Sequence, residues 1–152
     1  PAYFVQDCLP DNCARNRRGD CGIMALTFIT LCRLVGIPAQ WQSGLAVSPA
    51  SVGNHDWAMF YIAPKGWMYA DCSFGASMAR NGEEELRRHY FGNLDTGRMV
   101  ANRAFEAPFD PPMYGFRKDP YDNQTGEIEV DGTGLYGTQV EPEKNVLHYE
   151  FL

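Results

Sequence analysis

The sequence predicts an α+β domain in which one buried helix packs on an antiparallel sheet. Two observations predict it: an apolar stretch over 21–35 that ends in helix-stopping residues, and two strand patterns, 55–62 and 67–71, joined by a turn. A chain of 152 residues can bury roughly two thirds of its unfolded surface in one core. We therefore expect a single domain over 1–152. Because the chain begins at Pro1, we interpret it as shortened at the N-terminus or as part of a longer protein.

The composition is that of a globular protein and argues against several kinds of partner. Hydrophobic residues make up 45% of the chain and charged residues 21%, which disfavours intrinsic disorder. The formal net charge of −6 disfavours a nucleic-acid partner and an anionic membrane surface. No apolar run approaches the roughly 18 residues of a membrane span. Five cysteines are an odd number, so at least one is unpaired within the chain. The sequence does not decide whether Cys8 and Cys13 form a disulfide. It does not decide the cellular compartment either, although we prefer an extracytoplasmic location.

The helix predicted over 21–35 begins at a cysteine. Asp20 stands in the N-cap position, where a carboxylate accepts hydrogen bonds from free backbone amides. Gly36 suits the left-handed residue that follows a helix, and Pro38 prevents continuation. Because apolar residues leave almost no polar face, we expect this helix to be buried on most sides. The Cys21 thiol is placed to ionise, since a helix N-terminus carries about half a positive charge.

The remaining elements are predicted from local patterns. Residues 82–91 have acidic side chains first and basic side chains last, which suits a helix dipole and predicts a second helix. The other expected elements are a short helix near 12–17, strands over 39–44, 99–105, 127–130 and 146–152, a loop of small residues over 47–54, and a proline-rich loop over 108–121.

The hairpin makes a testable demand on its own turn. Side chains alternate faces along a strand, and His55 and Asp71 differ by 71 − 55 = 16 positions. A loop of two or four residues would therefore set them on opposite faces. A loop of three or five residues, or one bulge, sets them on the same face. A three-residue loop over 63–65, with Gly66 at positive φ, places His55 opposite Ser73 and Asp71 on the diagonal.

Cys21, His55 and Asp71 form a candidate catalytic set. An activated thiol needs an imidazole within hydrogen-bond distance, and the imidazole needs a third group to fix its tautomer. Each residue also has an ordinary structural interpretation: a buried cysteine, a strand-end histidine and a turn cap. Asp56 is the alternative carboxylate, but it leaves the opposite face of the strand from His55.

Three motifs in order resemble the transglutaminase-like superfamily of bacterial thiol enzymes. They are Arg17-Arg-Gly-Asp-Cys21, Leu34-Val-Gly-Ile-Pro-Ala39, and His55-Asp-Trp57 followed by Gly66-Trp67-Met-Tyr-Ala-Asp71. The resemblance covers residues 15 to about 75. It implies a papain-like α+β core, with the nucleophile on a central helix and the His and Asp on an antiparallel sheet. By the same resemblance Cys21 is the nucleophile, His55 the general base and acid, and Asp71 the orienting carboxylate.

The resemblance implies acyl transfer through a thioester and leaves the substrate open. We expect a cysteine protease or amidase that hydrolyses peptide or amide bonds in a peptide or protein. A protein-glutamine cross-linking transglutaminase and a catalytically silent binding domain are the alternatives. The Cys21 backbone amide would stabilise the oxyanion, with Gln6, Asn12 or a Trp side chain as second donor. Family members carry helical sequence before the cysteine, so further domains of a longer chain are expected partners. No Cys/His cluster has zinc spacing, and we expect no cofactor.

Overall fold

A computed structural model describes residues 8–150 of the chain. They fall into two compact units. The first takes in the described residues up to Gln42 together with Asp56–Thr96, and the second takes in Ser43–His55 together with the described residues from Gly97 on. Two long strands have residues in both units. The single domain expected over 1–152 stays a prediction.

The structure confirms the α+β class. The helices are α1 (Leu9–Asn16), α2 (Cys21–Leu34), α3 (Cys72–Arg80) and α4 (Glu84–His89). The main sheet contains β1 (Ala39–Ser48), β2 (Ser51–Ile62), β3 (Gly66–Ala70), β4 (Phe91–Gly92) and β5 (Arg98–Asn102), hydrogen-bonded in the order β4-β3-β2-β1-β5. The pairings of β1 with β5, β2 with β3 and β3 with β4 are antiparallel. No helix within 8–150 is both long and apolar enough to span a membrane.

Helix α2 begins and ends where the sequence predicts. The side chain of Asp20 accepts a hydrogen bond from the Ile23 backbone N–H at 2.8 Å, which fixes the first turn. Past the other end, Gly36 has a φ of +80°, a conformation that favours glycine. These two local signals are enough to set the position of Cys21 as the first residue of the helix.

The burial of α2 is narrower than predicted. Its sheet-facing side is packed: the ring of Phe28 meets the ring of Phe60 edge-on, with centroids 5.5 Å apart. The fully buried residues of the helix are Ala25, Ile29 and Cys32. The expectation of burial on most sides is wrong for the C-terminal part, because apolar residues there remain more than half exposed. These residues are Leu31, Leu34 and, just past the helix end, Val35.

The turn of the hairpin is the three-residue version. Strands β2 and β3 pair from Ala58 with Ala70 to Ile62 with Gly66, which leaves residues 63–65 as the loop. Gly66 has a φ of +90°, as the predicted turn requires. The odd loop length that the candidate catalytic set demands is therefore confirmed.

Several elements differ from the predictions. Helix α3 follows directly after β3, where no helix is predicted, and β1 and β2 extend into the loop expected over 47–54. The helix expected over 82–91 and the strand expected over 99–105 are confirmed as the shorter α4 and β5. The strand expected over 146–152 is wrong for its described part, since 146–150 is neither helix nor strand.

The second unit is mostly irregular chain tied down by hydrogen bonds to the backbone. Here β5 pairs with the second half of β1, and a small sheet joins β6 (Glu129–Val130) to β7 (Thr133–Gly134). The Glu129 carboxylate accepts the backbone N–H groups of Tyr114 and Gly115, at 2.8 and 2.6 Å. The proline-rich loop expected over 108–121 is confirmed as chain without helix or strand.

Candidate active site

The thiol of Cys21 contacts a carboxylate of the neighbouring sheet. Cys21 is half-buried at the first turn of α2, and its Sγ donates a hydrogen bond to Oδ2 of Asp56 at 3.3 Å. Asp56 lies in β2 and is only 5% exposed. From the sequence we expect Asp71, and not Asp56, to be the carboxylate of the candidate catalytic set. The structure instead brings Asp56 to the sulfur.

Strand alternation explains this contact. Phe60 packs on α2 through Phe28, and Ala58, two residues earlier on the same face of β2, is completely buried. Asp56 is the next residue on that face, so its carboxylate points toward the beginning of the helix. The signal was present in the sequence as an alternating set of small and apolar residues that includes one acid. The even spacing of Asp56 from Ala58 and Phe60 is the pattern that predicts its place on the face toward α2.

Burial and negative charge hold Cys21 in its neutral form. The pKa of the Cys21 thiol is raised from the ordinary 9.0 to about 12, first by burial and then by the charge of Asp56, with a smaller contribution from Asp20; a hydrogen bond from the Asp56 backbone lowers the pKa and is outweighed. The positive end of the helix dipole favours the thiolate. It is outweighed here, because the thiolate would be desolvated next to two carboxylates. The helix terminus by itself therefore does not lower the pKa of Cys21 in this arrangement, and ionisation of the thiol by His55 and the helix end together stays a prediction.

Asp71 is the N-cap of α3. It is 1% exposed, and its Oδ1 accepts hydrogen bonds from the Phe74 backbone N–H and the Ser73 hydroxyl, both at 3.0 Å. The structural interpretation of Asp71 as a cap is thus confirmed. Its second role, the orientation of an imidazole, stays a prediction.

His55 is buried at the end of the first segment of the second unit. It is 6% exposed, and its backbone carbonyl accepts a hydrogen bond from Nε2 of Gln124 at 2.9 Å. It directly precedes Asp56 along β2. The pairing of His55 with Cys21 stays a prediction.

The backbone amide of Cys21 is one candidate oxyanion donor. It belongs to the first turn of α2, whose N–H groups have no acceptor within the helix. Among the Trp candidates for the second donor, Trp57 is engaged, because its Nε1 donates to Oε1 of Gln42 at 2.6 Å. The ring of Trp41 lies beside the same turn, 3.2 Å from the point where a Cβ on Gly22 would stand. Trp41 therefore lies beside the helix turn that carries the thiol.

The other predicted donors and cysteines are placed as follows. Gln6 lies outside the described residues, and the side chain of Asn12 accepts a hydrogen bond from Asn16 within α1. Cys8 and Cys13 are both free thiols, so the disulfide left open by the sequence is not formed. Within residues 8–150, no group of three or more His, Cys, Asp or Glu side chains is arranged to hold a metal ion.

Comparison with known proteins places this site within a recognised sequence family. Residues 3–72 match the family model described as the transglutaminase-like superfamily. The matched segment contains Cys21, His55 and Asp71 and ends at the first residue of α3. No curated protein and no solved structure gives a significant match.

Proposed function

Because residues 3–72 match the transglutaminase-like superfamily, we propose that this chain is a cysteine-dependent acyl-transfer enzyme with Cys21 as its nucleophile. The superfamily generally covers cysteine-dependent acyl transfer. The observation that carries the proposal is the place of Cys21 within the matched segment, as the first residue of a capped helix that packs on the sheet. A nucleophile mounted there has a first-turn amide beside it, and such an amide is a preorganised donor for an oxyanion.

The proposed chemistry has two half-reactions. His55 takes the thiol proton as the Cys21 sulfur attacks an amide carbonyl carbon, and the carbonyl oxygen becomes an oxyanion that accepts the Cys21 backbone N–H. The C–N bond then breaks, His55 returns the proton to the leaving amine, and a thioester remains. Water attacks the thioester, its proton passes through His55 to the departing sulfur, and a carboxylic acid is released. Asp71 would hold the imidazole in the required tautomer.

We propose hydrolysis of peptide or amide bonds as the net reaction, which makes the protein a cysteine protease or amidase. The alternative is transfer to a primary amine, which resolves the same thioester into a new amide and would make the protein a cross-linking transglutaminase. Both outcomes share every step up to the thioester. They are therefore separated by the fate of the acyl group and not by the residues that form it.

One observation favours a second candidate, a domain that keeps the fold without catalysis. The partner of the Cys21 thiol is the carboxylate of Asp56, and the raised pKa keeps the sulfur protonated at neutral pH. Successive side chains of a strand leave opposite faces, so the face of β2 that carries Asp56 to the sulfur is not the face of His55. A binding domain would need neither a thiolate nor a base.

The test uses p-nitrophenyl acetate, an activated ester that acylates nucleophilic thiols without a recognised peptide sequence. We expect a burst of about one equivalent of p-nitrophenolate and an acetyl group on Cys21, identified by mass spectrometry. Cys21→Ala should abolish the burst. His55→Ala should slow it by about 10²–10⁴-fold, the usual contribution of a general base. Acetate as final product supports hydrolysis, and acetylation of an added primary amine supports transfer.

Cys72→Ala is the matched control, because Cys72 also begins a helix directly after an N-cap Asp. Its burst should equal that of the unaltered protein. The catalytic proposal is wrong if Cys21→Ala is acetylated as fast as the unaltered protein. It is also wrong if Cys21 of the unaltered protein is not acetylated between pH 6 and 10. Either result favours the binding domain.

A further inference from the structure

The first turn of α2 and strand β2 meet at a polar contact. The Sγ atom of Cys21 donates to Oδ2 of Asp56 at 3.3 Å, and further along the two elements Phe28 packs on Phe60. Asp56 is 5% exposed, so water cannot freely replace the thiol as its partner. A carboxylate buried in this way is costly unless it receives hydrogen bonds. The Cys21 thiol is one of the donors that stabilise it.

Gly22 provides the space for the carboxylate. A Cβ at Gly22 would stand 2.9 Å from Oδ2 of Asp56, closer than real Cβ atoms approach other heavy atoms, and 3.2 Å from the ring of Trp41. The terminal oxygen of Asp56 therefore occupies a volume that any other residue at position 22 would fill. The contact between thiol and carboxylate depends on the absence of a side chain there.

Carboxylates are the charged groups that act on the thiol. Asp56 faces it from β2 and Asp20 from the N-cap of its own helix. After burial, the charge of Asp56 is the largest contribution to the raised pKa of Cys21, whereas that of Asp20 is the smallest. Both act in the direction that keeps the proton on sulfur. Removing the charge of Asp56 should therefore release more thiolate than removing that of Asp20.

We propose that Asp56 is a positioning residue that holds Cys21 as a thiol, so that the nucleophile is released only when the carboxylate leaves the sulfur. The consequence for catalysis rests on the function proposed above, in which Cys21 is the nucleophile. The control of ionisation by Asp56 does not, since it concerns one thiol and one carboxylate of the same unit. The two claims can therefore fail separately.

The test is the pH dependence of iodoacetamide labelling at Cys21 in the full chain. Trypsin releases Cys21 and Cys32 on one peptide, because both lie between Arg18 and Arg33 with no basic residue between them. Fragmentation of that peptide in the mass spectrometer shows which of the two is labelled. We expect Asp56→Asn to lower the labelling midpoint by about one pH unit or more, which raises the labelling rate at pH 8 about tenfold. Asp20→Asn is the matched control, because Asn keeps the cap while removing the charge. It should move the midpoint less.

A second variant reaches the same contact from the other side. Gly22→Ala should displace the flexible end of Asp56 and lower the midpoint in the same direction, although no charge is removed. When Gly22→Ala is combined with Asp56→Asn, the alanine should lower the labelling midpoint little further, because the contact is already lost. Circular dichroism checks that each variant is folded, and Gly22→Ala decides the question if Asp56→Asn does not fold.

An unchanged midpoint in folded Asp56→Asn would overturn the proposal. Raman spectroscopy gives a second check, because an S–H band reports a protonated thiol. The band of Cys21 is identified at low pH by its loss in Cys21→Ala. Absence of that band from the unaltered protein at pH 7 would also overturn the proposal. If the midpoint moves while p-nitrophenyl acetate is not turned over, the role of Asp56 stands and the proposed function fails. If acylation at Cys21 occurs while the midpoint is fixed, the function stands and the role of Asp56 fails.

Discussion

Two helices of the first unit begin with the same dipeptide. Helix α2 begins after Asp20 with Cys21, and α3 begins after Asp71 with Cys72. In each, Oδ1 of the Asp accepts the backbone N–H three residues further on, at 2.8 Å in α2 and 3.0 Å in α3. The local construction is thus the same, and any difference between the two thiols comes from what surrounds the helix.

Both thiols are harder to ionise than a free cysteine. The pKa of Cys21 is raised to about 12 and that of Cys72 to about 11, in each case by burial first and by the charge of one carboxylate second. That carboxylate is Asp56 for the first thiol and the cap itself, Asp71, for the second. A helix N-terminus is therefore not sufficient to make a thiolate, because its partial charge is smaller than the combined effect of burial and a nearby acid. What singles out Cys21 is the hydrogen bond of its Sγ to a carboxylate on another element.

The largest expected difference between the two N-caps is in catalysis. Asp71→Asn should keep α3 capped, since Asn caps a helix as well as Asp does, but should lower kcat/KM for ester hydrolysis on the order of 10⁴-fold by favouring the wrong tautomer of His55. Asp20→Asn should change kcat/KM less than tenfold. Both variants are compared by kinetics and by thermal unfolding. If Asp71→Asn retains more than a tenth of the activity, Asp71 is a cap and nothing more.

The sequence predicts best what local signals determine. Asp20, Gly36 and Pro38 fix the bounds of α2, and Gly66 fixes a turn that in turn sets the register of β2 on β3. These are short-range effects of caps and backbone conformation, and they need no knowledge of distant contacts. The position of Cys21 at the start of α2 is predictable for the same reason.

Local signals did not predict helix α3 or the contact of Asp56 with Cys21. From the sequence we interpret Asp71 as an orienting carboxylate or a turn cap and predict no helix after it, although Phe74 and Met78, four residues apart, mark one face of the nine-residue helix that it caps. The contact of Asp56 joins residues 35 positions apart, so it depends on the packing of α2 against β2. The strand expected over 146–152 is wrong for its described part, 146–150, because alternating side chains form a strand only where a neighbouring strand can pair with them.

A smaller effect should appear in stability at alkaline pH. The folded-state pKa of each thiol lies above its ordinary value of 9.0, so the stabilisation is fully present below pH 9 and is lost as pH rises toward 11 or 12. We expect Cys21→Ala and Cys72→Ala each to reduce the stability lost between pH 8 and 11 by roughly 1–2 kcal/mol. Urea unfolding at both pH values measures it, with the exposed Cys8→Ala as control.

Equal alkaline losses in all three variants and the unaltered protein would mean that neither helix-start thiol is linked to folding. A reduction confined to Cys72→Ala would contradict the claim that Cys21 is the more strongly perturbed of the two. The comparison at two pH values matters because the alanine substitutions also remove packing, and that cost is the same at both.

The smallest difference concerns the caps themselves. Asp20→Ala should cost about 1 kcal/mol of unfolding free energy, the usual value for a lost N-cap. Asp71→Ala should cost more, about 2 kcal/mol, because the same Oδ1 also accepts the Ser73 hydroxyl and Asp71 is 1% exposed, so two partly buried donors lose a buried acceptor. Urea unfolding at pH 7 measures both variants, with Asp20→Asn and Asp71→Asn as the charge-matched controls. Equal costs for the two alanine variants would show that burial of the Asp71 cap adds nothing, and the two helix starts would then be equivalent in stability as they are in local geometry.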